Sequence, residues 1–200
     1  MDMDIVSRVQ GILLKPKEEW VKIKEETISV TQLFTSYAML LAAIPAVAQF
    51  IALSLVGRRV PFIGWYRYGL GRGFLYALLL YIFTLVYVYV FGIVINALAP
   101  TFSSTQNMPN AMKLAVYSLT PSWVAGVLYI IPYLGILVII ASLYGIFILY
   151  QGFVTPLMET PKEKVVGYLV VSIIIIFVLM IVVGIILGAI FAVGGVYQAI

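Results

Sequence analysis

The fold of this chain is decided by one stretch, residues 114–158, which reads LAVYSLTPSWVAGVLYIIPYLGILVIIASLYGIFILYQGFVTPLM. These 45 residues contain no Asp, Glu, Lys, Arg or His. A helix that crosses the hydrocarbon core of a bilayer needs about 20 apolar residues. The stretch therefore predicts two membrane-spanning helices joined by a tight turn.

Three further uncharged runs extend this pattern along the chain. They contain 31, 40 and 36 residues and cover 27–57, 73–112 and 165–200. Hydrophobic residues make up 64% of the 200 residues and charged residues only 10%, against about 25% in soluble domains. A soluble protein covers its exposed helix faces with polar side chains, and this chain has too few of them. The composition predicts an all-α integral membrane protein.

Turn-forming residues divide the uncharged runs into five spans. The longest run is divided at Ile131-Pro132-Tyr133-Leu134-Gly135, and residues 100–110 are rich in turn formers. Thr160-Pro161 then begins a new helix, with an N-cap residue followed by proline. We predict a membrane domain over 32–200 whose five transmembrane helices cover about 32–56, 74–98, 112–131, 134–154 and 165–192.

The first 31 residues carry eleven of the twenty charges and form a cytoplasmic amphipathic segment. Apolar residues from Ile5 to Leu13 recur on one face of a helix. Pro16 ends this helix and can open a second one. Two interpretations remain open for the segment. It is either a soluble cap that packs on the bundle, or an amphipathic pair of helices that lies in the membrane interface.

The distribution of lysine and arginine predicts the orientation. With the first residues in the cytoplasm, eight cations lie inside and four outside. We therefore predict a multi-pass membrane protein with its N-terminus inside and its C-terminus outside. The four outer cations lie in one loop and depart from the positive-inside rule.

The composition limits the chemistry that residues inside the membrane could carry out. The chain has no cysteine or histidine, and none of the five spans carries a charge apart from Lys113 at the edge of the third. Proton relays and voltage sensors place ionisable groups at membrane depth, so these classes of protein are disfavoured. We predict no catalytic, cofactor or metal site. The polar residues of the spans either support helix packing or line a solute path; they are Gln49, Thr84, Asn96, Ser118, Thr120, Ser142 and Gln151.

The loop over residues 57–73 combines four arginines with aromatic residues. Guanidinium groups bind phosphate well, and aromatic rings favour the headgroup level. The loop is either an anionic-lipid site or a plain solvated loop. The lipid-binding candidates are Arg58, Arg59, Trp65, Arg67 and Arg72.

Small residues mark the helix faces on which close packing is expected. Three alanines recur at intervals of four in the first span, and two glycines form a GxxxG pair in the fifth. The packing candidates are Ala38, Ala42, Ala46, Gly126, Gly145, Gly184 and Gly188.

A series of motifs resembles the prokaryotic branch of the Yip-domain (Ypt-interacting protein) family. The series begins at Lys15-Pro16-Lys17-Glu18-Glu19-Trp20 and continues with Tyr117-Ser118-Leu119-Thr120-Pro121. Its remaining members are Pro132, Gly135, Tyr144 and Pro161. The resemblance implies a multi-pass protein of a prokaryotic cytoplasmic membrane, with five membrane helices, a cytosolic N-terminus and no catalytic residues. Recruitment of a GTPase, known for eukaryotic relatives, is not carried over, because the leading segment is short and the Asp-Leu-Tyr-Gly-Pro signature is absent.

Two function classes remain at this point. The first is a non-enzymatic membrane-organising or adaptor protein that acts through lipid and protein contacts. The second is a passive permease or channel for a neutral or hydrophobic solute. The expected partners are membrane lipids, anionic ones included, together with further copies of the chain or other membrane proteins, and not nucleic acid. A continuous polar seam through the bundle would favour the permease, and scattered polar positions would favour the adaptor.

Overall fold

A computed structural model describes residues 4–60, 64–131, 133–155 and 157–193. The chain begins with two short helices and then forms a membrane bundle. The helices are α1 (Ile5–Leu14), α2 (Pro16–Glu25), α3 (Val30–Val56), α4 (Leu70–Leu98), α5 (Met108–Ser118), α6 (Thr120–Ala125), α7 (Gly135–Val154) and α8 (Lys162–Val193).

Four of these helices are long and apolar enough to cross a membrane, among the residues described. They are α3, α4 together with its 3₁₀ extension Ala99–Phe102, α7 and α8. The all-α membrane bundle predicted from composition is therefore observed. The count of five continuous spans is not, because the predicted span at 112–131 is broken.

The broken segment consists of α5, α6 and a 3₁₀ turn over Gly126–Ile130. Helix α5 ends at Ser118, and α6 restarts with Pro121 in its first turn. Proline has no N–H to donate to the preceding turn, and its ring clashes with the carbonyl four residues earlier. Pro121 therefore separates the two helices.

The loop between α3 and α4 also differs from the prediction, which included no strand. It forms a small antiparallel β-hairpin of β1 (Arg58–Val60) and β2 (Gly64–Tyr66), in which Arg58 pairs with Tyr66. Gly57 precedes the hairpin with φ of 83°, a region that favours glycine. A Cβ there would also lie 2.8 Å from Trp65 Nε1.

Helix α5 lies at the centre of the bundle, since every residue from Ala111 to Ser118 is buried. Its neighbours approach closely at glycines. A Cβ on Gly145 of α7 would lie 2.6 Å from the Ser118 carbonyl oxygen. A Cβ on Gly126 would lie 2.7 Å from Pro45 Cβ in α3. The core is thus built on close backbone approaches around the broken segment.

Hydrogen bonds show which residues lie together at each end of the bundle. At one end, Lys164 Nζ donates to Ser103 Oγ at 2.7 Å, and Thr105 Oγ1 donates to Glu159 at 2.6 Å. At the other end, the backbone N–H of Tyr68 donates to the Leu53 carbonyl at 2.9 Å. Arg72 lies in the first turn of α4, and Ser103 directly follows its 3₁₀ extension, so Arg72 and Lys164 lie at opposite ends of the bundle.

Candidate functional site at the docked helical hairpin

Helices α1 and α2 fold back on each other and form what we call the docked hairpin (Ile5–Glu25). Arg8 and Gly11 of α1 both contact Glu19 of α2. Asp4 caps α1, with its carboxylate accepting from the Val6 N–H. The inward face of the hairpin is buried against the bundle through Ile12, Trp20 and Ile23. One face of the hairpin is therefore held by the bundle, while Val6, Leu14 and Val21 are exposed on its other sides.

An ion-pair network ties α1 to α2. The Arg8 Nη1 group donates to Glu19 Oε1 at 2.7 Å, and its Nη2 group donates to Glu26. Lys22 Nζ lies 2.9 Å from the other Glu19 oxygen. The side chains of Arg8 and Glu19 are only 8% and 7% exposed. Buried charges of this kind depend on one another, because loss of either partner leaves the other without compensation.

Lys113 of α5 holds the end of α2. Its ammonium donates to the carbonyls of Ile23 at 2.8 Å and Glu26 at 2.6 Å, and to Asn110 Oδ1 at 3.2 Å. Cations bind favourably at helix C-termini, where carbonyls lack intrahelical partners. Sequence reasoning treated Lys113 only as a topology-determining charge. The available signal was its isolation between uncharged runs of 40 and 45 residues.

Three aromatic side chains form the contact between the hairpin and the bundle, namely Trp20 of the hairpin and Tyr37 and Tyr117 of the bundle. The Trp20 Nε1 group donates to the Ile148 carbonyl of α7 at 2.9 Å. The Tyr117 ring meets Trp20 at 6.1 Å and Tyr37 at 4.9 Å, both edge-on, between ring centroids. Arg8 lies over the Tyr117 ring at 5.7 Å. The site thus joins α2, α3, α5 and α7 through one aromatic cluster.

The tip of the hairpin is bound by a tyrosine of α7. The Tyr144 hydroxyl donates to the Leu13 carbonyl at 2.8 Å. Nearby, Gly152 leaves room for Trp20, whose ring carbon would lie 2.8 Å from an added Cβ. The motif residues Trp20, Tyr117 and Tyr144 therefore meet around one docking surface, although they are far apart in sequence.

The remaining motif residues lie at helix boundaries, except for one that lies outside the described residues. Pro16 is the first residue of α2, Gly135 is the first of α7, and Pro161 directly precedes α8. Ser118 is buried, and its hydroxyl donates to the Ala115 carbonyl at 3.1 Å. Pro132 lies outside the described residues.

The predicted packing residues fall into two groups. Ala38, Ala42 and Ala46 are buried along α3, and Gly126 and Gly145 make the close approaches given above. In contrast, a Cβ on Gly184 or Gly188 would meet no atom within 4 Å. Within the described chain, this GxxxG pair packs against nothing.

The described arginines of the loop bind helix ends. Arg67 Nη1 donates to the Leu55 carbonyl near the end of α3 at 3.1 Å. Arg72 donates to the Phe191 carbonyl near the end of α8 and lies 4.9 Å over the Tyr68 ring. Trp65 is 61% exposed. The side chains of Arg58 and Arg59 lie outside the description.

An open cleft of about 520 Å³ lies beside the hairpin, between the α2–α3 connection and the start of α5. Its polar lining includes Lys24, Glu26, Ser29, Asn110 and Lys113. Lys113 already donates to three protein oxygens. Its ammonium therefore joins α5 to the end of α2 and so connects two sides of the cleft.

Comparisons with known proteins agree with these motifs. The Yip1 domain profile matches residues 11–185. The inner membrane protein YohC of Escherichia coli (strain K12) is 25% identical over 155 residues, which cover 74% of this chain and 77% of the relative. YohC of Escherichia coli O6:H1 matches with the same identity and coverage. No solved structure matches the chain.

The profile match covers the docked hairpin from Gly11 onward, the broken segment and most of α8. It confirms the resemblance read from the motifs around Trp20, Tyr117 and Tyr144. The chain is a multi-pass membrane protein that belongs to the Yip1 domain family.

Proposed function

We propose that this protein is a non-enzymatic membrane-organising or adaptor protein that acts through lipid and protein contacts. The observation that carries the proposal is the local bonding of the span hydroxyls. Thr84, Ser118 and Ser142 each donate to a carbonyl of their own helix, three or four residues back. Such bonds satisfy the hydroxyl without forming a path between helices.

One hydroxyl pair does join two helices. Tyr37 and Thr120 share a hydrogen bond of 2.9 Å between their oxygens, inside the aromatic cluster. Asn96 Oδ1 is buried without a partner among the described residues. Among the described residues, no hydrogen bond joins any two of the polar span residues Gln49, Thr84, Asn96, Ser118 and Gln151. This distribution favours the adaptor over the alternative, a passive permease for a neutral or hydrophobic solute.

A flux measurement distinguishes these two functions. We expect proteoliposomes that contain this protein to take up glycerol and urea at the rate of empty vesicles of the same lipid composition. Stopped-flow light scattering measures the rate, and vesicles containing a known glycerol channel provide the positive control. Uptake several times faster than in empty vesicles would support the permease and contradict the proposal.

We also propose five crossings, with the first residues in the cytoplasm. The segment Met108–Ile130 begins at the end of the bundle where Asn110 Nδ2 donates to the Leu157 carbonyl at 2.8 Å. Helix α7 ends at Val154, beside that same end. The chain must therefore pass to the opposite end before α7 begins, and the broken segment supplies this pass. The cation count then favours the cytoplasm for the end that carries the hairpin.

In the arginine loop, we assign lipid binding to Arg67 and a structural role to Arg72. Arg72 is partly buried, with its guanidinium bound at the end of α8, whereas Arg67 is exposed. We expect Arg67→Gln to lower the amount of anionic phospholipid that co-purifies with the protein, measured by mass spectrometry. Arg72→Gln is the matched control, and it should leave lipid content unchanged while increasing hydrogen exchange in the last turns of α8. Equal lipid loss in both variants would contradict this division of roles.

A further inference from the structure

The docked hairpin lies along α7 with its tip directed toward the middle of that helix. Its contacts on α7 move away from Val154 in the order Gly152, Ile148 and Tyr144, as the hairpin is followed from Trp20 back to Leu13. Tyr144 lies ten residues from the end of α7 at Val154. At about 1.5 Å per residue, this separation is about 15 Å.

That distance is half the thickness of the hydrocarbon core, which is about 30 Å. The open end of the hairpin lies near the end of the bundle. Lys113, which binds the Glu26 carbonyl there, is only five residues from the start of α5 at Met108. With Val154 taken as the boundary of the hydrocarbon core, the hairpin extends from the end of the bundle toward the level of the membrane centre. Its tip is the connection between α1 and α2, residues 13–17.

The outer side of the tip combines an apolar side chain with cations. Leu14 is 78% exposed, and the Lys15 side chain is 70% exposed. Lys17 is exposed as well, and Glu18 lies 3.7 Å from Lys15 as the nearest acidic group. Lysine can bury its methylene chain in an apolar layer while its ammonium reaches phosphate. Anionic headgroups attract such lysines by about 1 kcal/mol each.

We propose that the tip of the docked hairpin is a lipid-binding wedge in the leaflet on its own side of the membrane. Leu14 contacts acyl chains, and Lys15 and Lys17 bind the phosphates of anionic phospholipids. Because charged groups are costly in hydrocarbon, the headgroups move inward to the tip and the leaflet is locally thinner there. The wedge rests on the proposed membrane-organising role and gives it a mechanism.

Fluorescence quenching tests the position of the tip. The chain contains no cysteine, so Leu14→Cys can carry a single environment-sensitive label in proteoliposomes. We expect strong quenching by phospholipids with brominated acyl chains and weak quenching by aqueous iodide. Ile174→Cys, on the exposed side of α8, provides the lipid reference, and Glu25→Cys at the open end provides the aqueous reference.

Two outcomes would overturn the wedge. Iodide quenching at Leu14 as strong as at Glu25 would place the tip in water. Shielding from both quenchers would show that protein, such as a second copy of the chain, covers the tip. Neither outcome depends on the flux measurement, so failure of the wedge is distinguishable from failure of the adaptor function.

Headgroup preference tests the role of the lysines. We expect the Leu14 label to be quenched more by brominated phosphatidylglycerol than by brominated phosphatidylethanolamine. Lys15→Gln and Lys17→Gln should each reduce this preference about fivefold. Lys24→Gln at the open end is the matched control and should leave the preference unchanged. An unchanged preference in the Lys15→Gln, Lys17→Gln double variant would overturn the binding of anionic headgroups.

Discussion

Replacement of Arg8 by alanine is expected to release the docked hairpin. The guanidinium binds Glu19 and Glu26 and covers the Tyr117 ring. Its loss leaves the Glu19 carboxylate with Lys22 alone, in a site where the Glu19 side chain is 7% exposed. Removing one partner of a buried ion pair costs about 3–5 kcal/mol. Thermal unfolding in detergent and hydrogen exchange over Ile5–Glu25 measure the loss.

The matched control is the exposed pair of Lys15 and Glu18, whose atoms lie 3.7 Å apart. Lys15→Ala should change the free energy of unfolding in detergent by less than about 1 kcal/mol, because the protein does not bury this pair and exposed ion pairs contribute little. The double variant Arg8→Met, Glu19→Leu should recover part of the Arg8→Ala loss, since it removes both buried charges. Equal losses for Arg8→Ala and Lys15→Ala would show that the network does not hold the hairpin.

A leucine at Gly145 is expected to separate α7 from the broken segment. An added Cβ would lie 2.6 Å from the Ser118 carbonyl oxygen. This neighbour is backbone, which cannot move aside by changing a rotamer. Overpacking costs about 1–3 kcal/mol, and we expect a loss at the upper end of this range because a backbone neighbour makes relief by local repacking difficult. The midpoint of thermal unfolding in detergent measures the effect.

Gly184→Leu is the matched control for this substitution. It introduces the same side chain into a membrane helix at a position where a Cβ meets no atom within 4 Å. Its stability should stay within about 1 kcal/mol of the parent chain, because glycine-to-leucine substitution slightly favours helix formation. Similar destabilisation by both leucines would contradict the close approach of Gly145 to Ser118.

Local sequence signals were sufficient to predict where some of the helices begin. Pro16 begins α2, and Pro161 directly precedes α8. A proline at the start of a helix acts through the backbone of the first turn, so these two starts are readable without a fold. The uncharged runs similarly identified the long apolar helices, because a helix that crosses the bilayer must be made of apolar residues.

The broken third segment was harder to read from the sequence. Residues 112–131 are apolar, and apolarity alone does not distinguish a continuous span from a break. Pro121 was identified as a motif residue, yet its consequence for the helix was not predicted. The break after α5 is tolerated because α5 lies in the interior of the bundle. Neighbouring helices there can satisfy backbone groups that the break leaves free.

The sequence by itself determined that this protein is an all-α membrane protein with Yip1 domain motifs, because charge, hydropathy and motif spacing are properties of the chain alone. Only the tertiary structure decided what the individual polar residues do. Lys113 binds the end of α2, Arg72 binds near the end of α8, and Arg8 pairs with Glu19 inside the hairpin. These roles depend on which helix ends and side chains meet in space. Such meetings between distant residues leave no periodic pattern in the sequence.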